Sequence, residues 1–413
     1  MRPPPSHRAT TANLQAVYPF VSEGPIGDQG PLVGRDVLGA PFSFDPWELY
    51  RAGRLTNPNI LVLGQVGRGK SSFVKALVWR EVAFGRRAWI IDPKGEYGAL
   101  AEASGSSPVD LAPGGPVRLN PLDGPGGARN ADPDAALRAR VELVASLTAS
   151  SLRRGLQPDE RTALELGVRQ VSRRAAAPTL PDLVEALFRP DADAAASVGT
   201  DVAGLTASGR APALELRRMI HGDLAGMFDG PTTAGLDPDA AVTVLDLSAT
   251  FTSSALPLVM TCATAWLQSG LGAGRGGKTL VVMDEAWAIL SDPATARWAQ
   301  ATFKLSRSLG VANVVVVHRV SDLRAAGADG SAEEKLAAGL LADAETRVVF
   351  GQSPAEAAAT GQLLGLSRTE VEAIAHLPRA IALWRVGARA YLVEHHLGRH
   401  ERALVDTDAA MRR

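Results

Sequence analysis

The chain has 413 residues, of which 46% are hydrophobic and 21% charged, a balance that excludes an intrinsically disordered protein. Lysine and arginine total 43 against 44 acidic residues, so the net charge of -1 supplies no overall field for binding nucleic acid. The single cysteine, Cys262, excludes an internal disulfide and a cysteine-based metal cluster. No segment approaches the run of about 18 apolar residues that spans a bilayer. We therefore expect a cytoplasmic protein that reaches the inner face of a membrane only through partners.

The first elements in the chain predict a βαβ unit. Residues 1–40 are rich in proline, glycine and serine and predict an irregular lead-in. Residues 59–64 form a continuous apolar run that ends in glycine, which is typical of a buried parallel strand. Residues 71–84 have helical apolar spacing, and residues 87–97 predict a second buried strand that leaves through a turn. A strand, a helix and a strand in this order predict a right-handed crossover.

The middle of the chain has a different pattern. Residues 131–235 are rich in alanine, leucine and arginine at helical spacing, and they predict an all-helical insertion domain. Residues 41–130 and 236–413 then form the two parts of one α/β domain with a mostly parallel central sheet flanked by helices. Strand patterns return after the insertion at residues 241–248, 279–287, 313–320 and 346–352.

Residues 64–71 read GQVGRGKS and match the pattern G-x-x-x-x-G-K-[ST]. Its glycines let backbone N–H groups wrap around a phosphate at the start of a helix, where the helix dipole also favours an anion. In this pattern Lys70 reaches the β- and γ-phosphates and Ser71 ligates Mg²⁺, while chance would give roughly 0.01 such strings here. We therefore expect ATP and Mg²⁺ as ligands. The predicted nucleotide-binding residues are Gly64, Gln65, Val66, Gly67, Arg68, Gly69, Lys70, Ser71 and Ser72.

An acidic pair follows the predicted strand TLVVM. Asp284 and Glu285 come directly after this run, at the strand end that faces the ligand crevice in such sheets. Asp284 would orient the magnesium ion and its waters, and Glu285 would polarise the water that attacks the γ-phosphate. A base beside the metal carboxylate favours hydrolysis over phosphoryl transfer to a small molecule. The residues therefore predict an ATPase.

Three further places carry polar side chains whose roles the residues alone leave open. His318 ends a predicted strand, where a polar group can sense the γ-phosphate or the attacking water. Arg307 lies eleven residues earlier and is either a finger that stabilises the transition state in a neighbouring subunit or an exposed ion-pair residue. Residues 92–97, DPKGEY, lie near the nucleotide, at a subunit boundary, or form only a charged turn.

The motifs together resemble the FtsK/HerA superfamily of RecA-like hexameric motors, and are most similar to the conjugative-transfer ATPases of type IV secretion systems. The resemblance extends from about residue 41 to residue 396 and depends on GQVGRGKSS, DPKGEY, NPLD and DEAW in that order. It implies a RecA-like P-loop core, ATP hydrolysis between the subunits of a homo-hexamer, and Arg307 as the trans-acting finger. Members of the superfamily usually carry glutamine where His318 stands.

The resemblance also implies a function. It indicates an ATP-hydrolysing motor that supports conjugative or type IV secretion-like transfer of DNA or protein, with DNA and membrane-channel or coupling proteins as partners. A DNA translocase of the HerA or FtsK sort is an alternative, and salt-sensitive stimulation of ATP turnover by DNA would favour it. A nucleotide-gated assembly scaffold is a non-enzymatic alternative, against which Glu285 argues.

Overall fold

The computed structural model describes Ile26 and most of residues 29–405, and no described helix is long and apolar enough to cross a membrane. Most of the predicted lead-in and both boundaries of the predicted insertion therefore lie outside the described residues. The residues that the structure does not describe are 1–25, 27–28, 124–132, 176, 234–239, 254, 274–276, 291–295, 298, 301–302, 305, 321–338, 340–342 and 406–413.

One mixed sheet organises the described part of the chain. Its strands are β1 Leu32–Asp36, β2 Pro41–Ser43, β3 Ile60–Leu63, β4 Arg87–Asp92, β5 Val109–Asp110, β6 Val242–Asp246, β7 Thr279–Met283, β8 Val311–Val317, β9 Thr346–Phe350, β10 Ile381–Val386 and β11 Arg389–His395. They lie in the order β2-β1-β11-β10-β9-β3-β8-β7-β4-β6-β5. The strands from β9 to β5 in this order are parallel to one another, while β10, β11, β1 and β2 pair antiparallel.

The central strands β3, β7 and β8 are apolar except for Thr279 and Asn313, because helices cover both faces of the sheet. Every residue of β3, β7 and β8 is buried. Alternate side chains along a strand point to opposite faces, so one strand supplies two cores. Leu61 and Leu63 enter the core on one face, while Ile60 and Val62 enter the core on the other. A continuous apolar run is therefore the pattern that this sheet requires.

The helices lie between the strands and after them. The described residues of 133–221 include five helices between β5 and β6, and the assignment of this segment to a separate insertion domain stays a prediction. The described helices are α1 Pro46–Arg51, α2 Lys70–Ala83, α3 Gly98–Ala103, α4 Pro133–Leu152, α5 Pro158–Arg174, α6 Leu180–Phe188, α7 Ala192–Ser197, α8 Val202–His221, α9 Leu256–Ala273, α10 Trp287–Leu290, α11 Pro354–Leu364, α12 Arg368–His376 and α13 Arg399–Val405.

Local signals set the starts of the insertion helices. Pro158 and Pro181 occupy the first turns of α5 and α6, where a missing N–H costs nothing. Glu160 and Asp182 complete capping boxes at these two helix starts. These signals are readable in the sequence, which explains why the helical character of this segment is predictable.

The antiparallel edge of the sheet shows one feature that the sequence pattern did not predict. The hairpin β10–β11 turns at Gly387, which has a φ of +58°. Within the predicted lead-in, however, Leu32–Asp36 forms β1 and pairs with β11, with Gly34 opposite His395. A Cβ on Gly34 would lie 1.9 Å from the Glu394 carbonyl oxygen, so the close pairing of β1 with β11 needs glycine at this position.

An aromatic cluster joins the antiparallel edge to the helix that follows the glycine-rich loop. The indole of Trp384 on β10 packs edge-on against Phe73 of α2, with ring centroids 5.4 Å apart. It also packs edge-on against Phe44 at 5.0 Å and donates its Nε1–H to His395 Nε2 at 2.9 Å. Trp384 is fully buried, so the cluster anchors α2 through large apolar contacts.

We expect Trp384→Ala to destabilise the protein by about 3–5 kcal/mol, because it opens a cavity between β10 and α2 and removes the ring contacts with Phe73 and Phe44. Leu38→Ala is the control, because the Leu38 side chain is 73% exposed and its truncation changes little. Urea unfolding followed by circular dichroism measures both free energies of unfolding. Equal values for the two variants would contradict the anchoring role of Trp384.

Candidate active site

The glycine-rich loop leaves β3 at the carboxyl edge of the sheet and enters α2. Gly64 has a φ of +148°, and a Cβ there would lie 2.6 Å from the Cβ of Phe350. Gly69 has a φ of +109° and is the N-cap of α2. The Arg68 carbonyl accepts a hydrogen bond from the Ala380 N–H at 3.1 Å, which braces the loop against the turn before β10. The two glycines therefore serve the backbone path that a phosphate cradle needs.

Lys70 is the first residue of α2 and is almost completely buried. Its ammonium donates to the carbonyl oxygen of Gln65 at 2.9 Å, across the loop. Burial lowers the pKa of Lys70 to about 8, against the opposing effect of the negative charges of Asp284 and Glu285. The loop therefore presents a desolvated cation whose strongest countercharges are these two carboxylates.

The register of the sheet brings the acidic pair to the same edge as the loop. Met283 at the end of β7 lies opposite Val315 of β8, and Leu63 at the end of β3 lies opposite Val317. The chains that follow β3, β7 and β8 therefore leave the sheet side by side. Asp284 and Glu285 are 5% and 2% exposed, and both act electrostatically on Lys70. The structure thus brings together the loop lysine and the carboxylates that the sequence singles out.

Asp284 is held from two sides. Its Oδ2 accepts a hydrogen bond from the hydroxyl of Tyr97 at 3.1 Å, and its Oδ1 accepts the N–H of Glu285 at 2.9 Å. Burial and then the charge of Glu285 raise the pKa of Asp284. Within the described part of the chain, the Tyr97 hydroxyl therefore serves this carboxylate.

Glu285 has a constrained backbone and a carboxylate held by donors from three elements. Its φ of +51° is unusual for a residue with a side chain. Oε1 contacts the Lys94 ammonium and lies 2.5 Å from His318 Nε2, while Oε2 accepts the indole N–H of Trp287. Burial acts to raise the pKa of Glu285, but the hydrogen bonds from His318 and Lys94 outweigh it and lower the pKa to about 2.

His318 follows β8, as predicted, and its ring faces Glu285. Donation from Nε2 to the Glu285 carboxylate places a proton on Nε2. The Lys94 ammonium lies 3.4 Å from the same nitrogen, so the two donors share Oε1 as their acceptor. The histidine therefore lies beside the predicted water-activating group, and its role as a sensor stays a prediction.

The turn DPKGEY belongs to this cluster, a possibility that the sequence left open. The Asp92 carboxylate accepts the N–H groups of Lys94 at 3.2 Å and Tyr97 at 2.8 Å, and Gly95 has a φ of +68°. This turn directs Lys94 to Glu285 and Tyr97 to Asp284. The sequence did not single out Tyr97 as a site residue. The available signal was its position just after β4, which lies beside β7 in the sheet.

Arg307 lies at the other edge of the sheet. It belongs to a short 3₁₀ helix, Ser306–Leu309, that precedes β8, and it is exposed. Its Nη1 donates to the carbonyl of Thr56, before β3, at 3.4 Å. The seven residues of β8 separate this position from His318 by roughly 20 Å. Arg307 therefore does not join the cluster around Lys70 in its own chain, and its predicted action in trans stays a prediction.

The residues at the cluster fit a magnesium nucleotide in their chemistry. Ser71 at the first turn of α2 and Asp284 after β7 offer oxygen donors, which a hard cation such as Mg²⁺ prefers. The loop offers a helix N-terminus and a lysine for phosphates. Gly69 has a left-handed backbone, and as a glycine it places no Cβ in this cradle beside the helix start.

Comparisons with known proteins agree with this geometry. The family model of the AAA-like domain matches residues 50–109, which contain the loop, α2, β4 and the DPKGEY turn. No curated protein matches the chain in sequence.

Solved structures share the fold along nearly the whole chain. VirB4 of Thermoanaerobacter pseudethanolicus superposes with a TM-score of 0.74 at 22% identity, covering 92% of this chain and 99% of its own. The plasmid coupling protein TrwB in complex with ADP and Mg²⁺ gives a TM-score of 0.58 at 17% identity, covering 90% and 91%. TrwB with a non-hydrolysable ATP analogue gives 0.56 at 16% identity, covering 95% and 93%. These similarities confirm the predicted α/β fold class of RecA-like P-loop proteins.

We expect Tyr97→Phe to destabilise the protein by about 1–3 kcal/mol, because it leaves the buried Asp284 carboxylate without its hydroxyl donor. Tyr50→Phe is the matched control, because the Tyr50 side chain is 42% exposed. Denaturant unfolding in the absence of nucleotide measures both free energies. A Tyr97→Phe protein as stable as the control would show that this hydrogen bond does not hold Asp284.

Proposed function

We propose that the chain is an ATP-hydrolysing motor that supports conjugative or type IV secretion-like transfer of DNA or protein. The observation that carries the proposal is the convergence of Lys70, Asp284 and Glu285 at one edge of the sheet, with their charges interacting. A phosphate loop alone would support binding. The buried glutamate beside the metal carboxylate is what favours hydrolysis.

In this proposal different residues of the site bind the phosphates, hold the metal ion and activate the water molecule. The loop and Lys70 bind the β- and γ-phosphates through backbone N–H groups and the ammonium. Ser71 and Asp284 would hold Mg²⁺, which neutralises charge on the phosphates when bound. Glu285 orients a water molecule and accepts its proton, and His318 steadies the Glu285 carboxylate through Nε2.

The transfer function is supported by the fold and by the relatives that share it. The chain aligns over nine-tenths of its length with VirB4 and with a plasmid coupling protein, and the latter binds ADP and Mg²⁺. The sequence motifs GQVGRGKSS, DPKGEY and DEAW lie together at the site. We therefore propose ATP and Mg²⁺ as ligands, and DNA and channel or coupling proteins as partners. Recruitment by such partners would place the protein at the inner face of a membrane.

We further propose that the active unit is a homo-oligomer, a hexamer by analogy, in which Arg307 completes a neighbour's site. The position of Arg307 supports this, since it is exposed and lies at the far edge of the sheet from its own loop. An arginine from an adjacent subunit can stabilise charge on the transferred phosphoryl group.

We expect Glu285→Gln to lower kcat for ATP hydrolysis by about 10²–10⁴-fold while nucleotide binding persists, because the variant loses only the proton acceptor. Lys70→Ala should weaken nucleotide binding itself, because it removes the phosphate-binding cation. Glu102→Gln, at an exposed position of α3, is the control. Phosphate release and fluorescent-nucleotide binding measure the two effects. Unchanged turnover in Glu285→Gln would reject hydrolysis at this site and favour the assembly scaffold.

Mixing two inactive variants tests the shared site. Lys70→Ala lacks a working loop, and Arg307→Ala lacks the proposed finger, so each alone should be inactive. In oligomers assembled from equal amounts of the two variants, about a quarter of the interfaces join an intact loop, from Arg307→Ala, to an intact arginine, from Lys70→Ala. About a quarter of wild-type turnover should therefore return. No recovery in mixtures that are shown to co-assemble would contradict a trans role for Arg307.

A further inference from the structure

Besides His318, the carboxylate of Glu285 has a cationic neighbour, Lys94. Lys94, from the turn after β4, contacts the same oxygen, Oε1, that accepts from His318 Nε2. Trp287 donates to the other oxygen. Donors from three separate elements therefore define where the carboxylate points.

The turn that carries Lys94 has a fixed shape. Both oxygens of the buried Asp92 carboxylate accept backbone N–H groups within the turn, one of them from Lys94 itself. The left-handed Gly95 closes it, and a Cβ there would lie 3.1 Å from Asp246 Oδ2. The Lys94 side chain is 32% exposed and its ammonium lies 5.7 Å from the Phe251 ring centroid. The ammonium therefore lies in a defined place at the edge of the site.

The backbone of Glu285 alone does not fix its carboxylate. Its N–H is bound to Asp284 and the next N–H, from Ala286, donates to the Val316 carbonyl, so the peptide is held. The side chain beyond Cα still has three rotatable bonds. A misplacement of a reacting group by about 1 Å can cost on the order of 100-fold in rate. The contacts at Oε1 therefore affect the rate of catalysis, and a measurement of the free energy of unfolding would not show this effect.

We propose that Lys94 is a positioning residue for ATP hydrolysis that acts through Glu285. The ammonium holds Oε1 in place together with His318, so that the carboxylate faces the water it activates. The inference rests on the proposed hydrolytic function. It differs from a direct contact between Lys94 and the phosphates, which would add to nucleotide affinity.

The decisive experiment is a double-mutant cycle between Lys94→Met and Glu285→Gln. Lys94→Met alone should lower kcat by roughly 10–100-fold while KM and the affinity for a fluorescent ATP analogue stay within about twofold. In the Glu285→Gln background the same substitution should cause no further loss, because the group it positions is already gone. Lys94→Arg, which keeps a donor cation, should recover most of the lost rate.

Lys278→Met is the matched control, since Lys278 pairs with Glu48 at the opposite edge of the sheet and should leave kcat unchanged. Retained nucleotide binding shows that the Lys94→Met protein is folded. An unchanged kcat in Lys94→Met would overturn the proposal. So would weaker nucleotide binding with an additive loss in the Glu285→Gln background, which would make Lys94 a phosphate ligand. Equal turnover in wild type and Glu285→Gln would instead reject the hydrolytic function itself.

Discussion

The Lys70 ammonium and the carboxylates of Asp284 and Glu285 lie at one edge of the sheet, where burial strengthens the interaction of their charges. Parallel strands produce this arrangement, because chains that run in the same direction end at the same edge. Lys70 alone would be a desolvated cation, and Glu285 alone would be a desolvated anion, each unfavourable. Together they form a compact set of opposite charges that can accept a polyphosphate with its metal ion. The rest of the fold holds these three groups at that edge of the sheet.

Around this edge the protein uses polar contacts to orient each group. Tyr97 binds one carboxylate, and Lys94 with His318 binds the other. The resemblance in the sequence implies that glutamine is the usual residue at the position of His318. An imidazole with a proton on Nε2 offers Glu285 one donor, as a glutamine amide would, and its other ring nitrogen is buried without a hydrogen-bond partner among the described residues. Both side chains can therefore perform the same orienting task.

The sequence predicts those parts of the structure that depend on local patterns. Apolar runs, the glycine-rich loop and Asp284–Glu285 each carry a local signal, and the structure places them as a P-loop α/β fold requires. The pairing of β1 with β11 has no local signal, because it joins segments more than 350 residues apart. The contacts of Lys94 and Tyr97 also have no local signal and could not be predicted from the sequence. They depend on which strand lies beside β7 and on the shape of a turn. For Arg307 the residues left two roles open and only the resemblance favoured the trans-acting one, while its place at the far edge of the sheet follows from strand direction.

A structure of the protein bound to Mg²⁺ and a non-hydrolysable ATP analogue tests the central claim most directly. The account predicts the β- and γ-phosphates in the loop within hydrogen-bond distance of Lys70 Nζ, with the metal ion on Ser71 and reached by Asp284 directly or through a water molecule. Glu285 should face the γ-phosphate from the side opposite its leaving group. A nucleotide bound elsewhere, or a metal ion out of reach of Asp284, would contradict it.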